Sequence, residues 1–82
     1  MKNRNYHRYN LKQGHKVVYK GITNNPERRE EQHKDEGKRF TKMQVVGPSV
    51  TKDAAEKWEE DSLAQFRGNH GGRNPKYNET NK

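Results

Sequence analysis

A chain of 82 residues with a hydrophobic share of 24% has room for one domain and a small core. It has no cysteine, which excludes disulfides and thiolate metal sites. No apolar run is long enough for a signal peptide or a membrane span, so the expectation is a soluble, cytoplasmic protein without membrane contact. A net charge of +7 and a pI near 9.8 point to a polyanionic partner, since each phosphate neutralised releases counterions; the plainer reading of the same charge is a solubilising surface.

Few aliphatics and many charges border on the composition of disordered chains. The aromatic and β-branched residues are nevertheless gathered into periodic segments, which predicts one folded domain over 1–82 with frayed tails at 1–5 and 79–82. Tyr6 to Leu11 can form a first strand. Lys12-Gln13-Gly14-His15-Lys16 is a glycine-bearing turn, and Val17 to Ile22 completes an antiparallel hairpin. Two registers are open: Tyr9 opposite Tyr19 with Leu11 across from Val17, or Tyr6 opposite Tyr19 with Leu11 facing Gly14. The first pairs aromatic with aromatic and aliphatic with aliphatic.

Asn24 or Asn25 followed by Pro26 is a helix start, a capping amide before a ring that loses nothing by lacking N–H. From Pro26 to Lys38 this helix offers no aliphatic or aromatic side chain, so hydrophobic periodicity gives it no reason to dock. Polar groups must face inward. Phe40 and then Met43 to Val46 give a third strand, ended by Gly47-Pro48. Thr51 caps a second helix from about Lys52 to Arg67, with Gly68 where a left-handed residue is expected. At 100° per residue Ala55, Trp58, Ser62 and Phe66 share a face with Glu59 at its centre, and a carboxylate placed there needs a partner. The tail from Asn69 is turn-rich, with Tyr77 placed to pin it to the core and Asn78 left at the core edge.

Tyr19-Lys20-Gly21-Ile22-Thr23, Arg29 ten residues after that tyrosine, His33 one helical turn further, Glu59, and Pro75-Lys76-Tyr77-Asn78 together resemble the GIY-YIG nuclease superfamily. The likeness runs from about Tyr6 to Asn78. It implies an α/β fold with a small three-stranded antiparallel sheet flanked by helices, in a stand-alone domain, and hydrolysis of DNA phosphodiesters with Mg²⁺ or Mn²⁺ as cofactor. Carried over by position, Tyr9 looks like the tyrosine of the first motif half, with Tyr6 as the other candidate, and Tyr19 and Gly21 match the second half. Arg29 looks like the catalytic arginine, His33 the histidine one turn on, Glu59 the metal ligand and Asn78 the terminal asparagine. Lys20, Gly21 and Arg28 are expected along the substrate backbone. The chain departs from the family pattern in three places: His7 and Arg8 precede Tyr9 where glycine and isoleucine are usual, Lys20 replaces an apolar residue, and Glu30 follows Arg29 where many relatives carry leucine.

The residue types suit that chemistry on their own terms. Arg29 and His33 are four apart and share a helix face, which gives the polar helix a reason to turn polar groups inward. Cleaving a phosphodiester needs a deprotonated nucleophile, neutralisation of the growing charge and a stabilised leaving oxygen. Arg29 can fork two phosphate oxygens, and Glu59 can hold one hard cation with waters completing its shell. Tyr9 or Tyr19, with an ordinary pKa of about 10, would need the arginine and the metal to favour phenolate. Gly21 would let the backbone approach a phosphate. The expected partner is DNA, with RNA as the alternative and no obligate small molecule, and any preference among DNAs would come from shape or from a protein partner. The competing reading is a non-catalytic basic nucleic-acid-binding module on the same fold. His7, His15 and His70 lack metal-site spacing and read as surface residues.

Overall fold

In the computed structural model, which describes residues 4–78, the hairpin forms as strands β1 (Tyr6–Gln13) and β2 (Lys16–Thr23). Residues 79–82 of one expected tail, and 1–3 of the other, lie outside the described residues. Gln13 pairs with Lys16 across a two-residue turn, and Gly14 takes φ 65 as the first position of a type II′ turn requires. The register is neither of the two expected. Tyr9 lies across from Gly21 and Leu11 across from Tyr19. The turn is centred between Gly14 and His15, and a β-bulge adds Val18 between the partners of Lys12 and Leu11; together they displace the pairing by two residues. Tyr9 and Tyr19 become diagonal neighbours on one face, still within reach of each other's rings.

Helix α1 (Pro26–Asp35) follows at once. Asn25 caps it, its Oδ1 accepting from the Arg28 N–H at 3.2 Å. The helix ends before Lys38, and Gly37 at φ 85 turns the chain toward β3 (Lys42–Val50). That strand does not end at Gly47-Pro48. Gly47 adopts φ 66 and the pairing with β1 shifts there, Arg8 facing Val46 but Tyr6 facing Val50. Proline is tolerated because it sits at a bulge in an edge strand. Strand order is β2-β1-β3, all antiparallel.

Helix α2 (Lys52–Asn69) is capped by Thr51, whose Oγ1 accepts from the Ala54 N–H at 3.2 Å. Gly68 stays helical. The left-handed positions are Gly71 and Gly72, at φ 64 and 86, and the Gly72 N–H closes the helix end onto the Arg67 carbonyl at 2.8 Å. The two helices cover opposite faces of the sheet, as adjacent β2 residues show: Tyr19 packs on His33 of α1, whereas Lys20 places its ammonium 5.6 Å from the Trp58 ring of α2.

Tyr9, Leu11 and Val18 are fully buried, with Tyr19, Phe40, Met43 and Tyr77 packed against them. Leu11 and Val18 each contribute about 2 kcal/mol by burial. The tail returns to the free edge of β2, where the Tyr77 N–H bonds to the Val18 carbonyl at 2.8 Å. The result is a small α/β domain with a three-stranded antiparallel sheet and two helices. No helix among the described residues is long and apolar enough to cross a membrane.

Candidate active site

Three residues from three segments interlock on the α1 face of the sheet. The Tyr9 hydroxyl and His33 Nε2 are 2.7 Å apart in a buried hydrogen bond. The Tyr19 ring lies 6.0 Å from that of Tyr9, inclined by 28°, and 4.7 Å from the imidazole. Gly21 makes this packing possible, since a Cβ there would sit 2.6 Å from Tyr9 Oη and 2.8 Å from a Tyr19 ring carbon. The space beside Gly21 is therefore filled by tyrosine. Tyr6 stands on the other face of β1, paired with Val50, so Tyr9 is the tyrosine of the first strand that joins the group.

Burial holds His33 neutral, lowering its pKa to about 4, with Lys38 and then Arg29 adding to the effect. Its Nδ1 is buried without a hydrogen-bond partner and lies 3.7 Å from Glu36 Oε1. The carboxylate favours a proton on Nδ1, leaving Nε2 to accept from Tyr9. Tyr9 is 1% exposed; burial, then the proximity of Tyr19, raises its pKa, and Arg29 opposes the rise only in part. Tyr9 is thus a neutral hydroxyl donor within the core. Tyr19 is half-buried and has the Lys38 ammonium 5.6 Å from its ring, which makes it the tyrosine that can meet a ligand.

Arg29 is half-buried, and its Nη1 donates to Gln32 Oε1 at 3.1 Å. Its charge reaches Tyr9, His33 and Glu59. Arg28, exposed, shares with it a polar groove beside Thr23 and Asn25 at the start of α1. Glu59 is half-buried on α2, in the stripe with Ala55, Trp58, Ser62 and Phe66. Burial raises its pKa, Glu56 adds to the rise and Arg29 opposes it. Asn78 clamps the edge of β2: its Oδ1 accepts from the Lys20 N–H at 2.7 Å and its Nδ2 donates to the Lys20 carbonyl at 3.0 Å. The Lys20 ammonium is on the α2 face, donating to Asn10 Oδ1 at 3.1 Å.

Among the described residues no group of three or more His, Asp or Glu converges as a metal site. A hard cation that keeps its waters and shares its shell with substrate phosphates asks for one or two carboxylates. Glu59 is the half-buried carboxylate of a groove on α2 that Glu56, Glu60 and Lys57 also line.

Sequence reasoning overlooked Gln32, Glu36 and Lys38. Gln32 follows Arg29 by three residues, a spacing that puts it within reach on a helix. Lys38 lies beyond the helix end and is folded back by the turn at Gly37, its N–H bonding to the His33 carbonyl at 3.1 Å. Helical periodicity carries no signal for that. No protein-family model matches the chain, and neither a curated protein nor a solved structure matches it.

Proposed function

We propose that this chain is a small divalent-metal-dependent DNA endonuclease of the GIY-YIG kind. The observation that carries the reading is the interlocked Tyr9–Tyr19–His33 group with Arg29 one helical turn from His33. A solvated helix face would not need a buried histidine aimed at a strand tyrosine. Arg29, at the edge of the group, neutralises a phosphate oxygen as charge builds on it. Tyr19, the more accessible ring, orients the attacking water, while Tyr9 keeps its proton toward His33 and fixes both rings in place. Asn78 fixes the backbone of β2 at Lys20, the residue after Tyr19. A Mg²⁺ or Mn²⁺ on Glu59 would stabilise the leaving oxygen and acidify a bound water.

The non-catalytic binding module remains the second reading, favoured by the deep burial of Tyr9 and the raised pKa that keeps it protonated. A plasmid-nicking assay with Mn²⁺ separates the two. Arg29→Ala and Glu59→Gln are expected to lose on the order of 10²-fold or more in nicking rate, and Arg28→Ala less than about tenfold, because Arg29 and not Arg28 reaches Tyr9, His33 and Glu59. Full activity in Glu59→Gln would remove the metal-ligand role. Equal losses from the two arginines would reduce them to a general phosphate-binding surface.

A further inference from the structure

On the α2 face, at the hairpin-turn end of β2, the returning tail encloses a cavity of about 330 Å³. Lys16 and Val17 form one wall, Phe66 and His70 of the last turns of α2 another, and Arg73 and Lys76 of the tail the rim. None of the residues lining it is acidic, although the chain has 11 Asp and Glu. Its size is at the lower end of small-ligand sites.

The cavity is built, not a gap between loose side chains. The Phe66 and His70 rings stack 3.7 Å apart and within 7° of parallel. The His70 Nδ1–H donates to the Phe66 carbonyl at 2.8 Å, which fixes the plane of the imidazole. Gly71 and Gly72, both at positive φ, reverse the chain so that Arg73 and Lys76 come back over β2. Arg67 Nη1 holds that reversal by donating to Asn74 Oδ1 at 3.0 Å. Pro75 is buried in the floor.

Cations alone would suit any anion. A flat, oriented aromatic pair beside three basic side chains suits a ligand with both a planar π-face and a phosphate. We propose that this cavity takes one unpaired nucleotide of a single-stranded DNA segment, its base against the His70–Phe66 stack and its phosphate among Lys16, Arg73 and Lys76. A duplex cannot enter, because its bases are stacked on one another and unavailable to the ring. The Arg28–Arg29 groove lies at the far end of β2, roughly 20 Å away at about 3.3 Å per strand residue. The pocket therefore holds a single-stranded flank apart from the proposed cleavage site and does not depend on cleavage occurring.

Fluorescence anisotropy of the full chain with labelled octathymidylate, and separately with a blunt duplex, tests this in EDTA. Arg73→Gln and His70→Ala are expected to weaken octathymidylate binding roughly fivefold to tenfold. His70→Phe, which keeps a ring, should restore it to within about twofold. Lys34→Gln, the same charge loss on the exposed side of α1, should change it less than about twofold, and none of these variants should distinguish itself on the duplex. In the wild type, octathymidylate should shift the amide resonances of Val17, Phe66, His70 and Lys76. Equal losses for Arg73→Gln and Lys34→Gln on both DNAs would overturn the proposal, as would amide shifts confined to the Arg28–Arg29 groove. Absence of plasmid nicking with pocket-centred shifts intact would sink the nuclease reading and leave this one standing.

Discussion

A methyl group on Gly21 would lie 2.6 Å from the Tyr9 hydroxyl and 2.8 Å from ring carbons of Tyr9 and Tyr19, and neither ring can swing away without leaving His33. Gly21→Ala is expected to cost about 1–3 kcal/mol in urea unfolding; a change below about 0.5 kcal/mol would mean the rings give way. His33 sets a pH dependence of definite sign. Its folded pKa is about 4 and its unfolded value about 6.5, so acidification lets the unfolded chain take up a proton that the folded chain refuses. The contribution is complete above about pH 6.5 and is lost as pH falls through 4. His33→Gln should therefore flatten the rise in stability between pH 4.5 and 7, and parallel profiles for the two proteins would contradict it. Glu59 works the other way. Its pKa is raised on folding, so its ionised form opposes folding at neutral pH, and Glu59→Gln should leave the fold as stable as before or more so.

At the scale of elements, α1 is the weakly held one. His33 is its single buried residue, and the hydrogen bond to Tyr9 and the Asn25 cap replace the apolar stripe that usually docks a helix. Such an element opens locally below the global unfolding free energy. Native-state amide exchange should show α1 opening at lower free energy than the β1 amides from Tyr9 to Leu11. Asn25→Ala should lower α1 protection by about 1 kcal/mol with β1 unchanged. A common exchange energy for both would show the helix to be part of one cooperative unit. The tail is the opposite case, tied to β2 by the Tyr77 N–H and by both polar atoms of Asn78. Aspartate at position 78 would keep the acceptor but face the Lys20 carbonyl with an oxygen. Asn78→Asp is thus expected to cost about 1–3 kcal/mol by thermal melting, and an unchanged midpoint would mean the clamp contributes nothing.

Across the whole molecule, cations gather at both ends of β2, with Arg28 and Arg29 at one end and Lys16, Arg73 and Lys76 at the other. If both groups meet one DNA, about five phosphates are neutralised and the logarithm of affinity should fall with the logarithm of salt at a slope of roughly −4. A slope of about −2 would restrict contact to one group.

Much of this architecture is local and was legible beforehand. Asn25-Pro26 and Thr51 start helices because a cap needs only the next three residues. The Ala55–Trp58–Glu59–Ser62–Phe66 stripe follows from helical geometry, and Arg29 and His33 share a face because they are four apart. What adjacent residues do not encode is where one segment meets another. The turn position and the Val18 bulge that together moved Tyr9 from Tyr19 to Gly21, and the Gly47-Pro48 kink that continues a strand, were each decided by pairing across the chain. The same holds for the buried Tyr9–His33 bond, the return of Lys38, and the cavity closed by the tail. Sequence alone determined the elements and the residues available for chemistry. Tertiary structure decided which of them lost water and therefore which protons they keep, because desolvation depends on what covers a group and not on its neighbours in the chain.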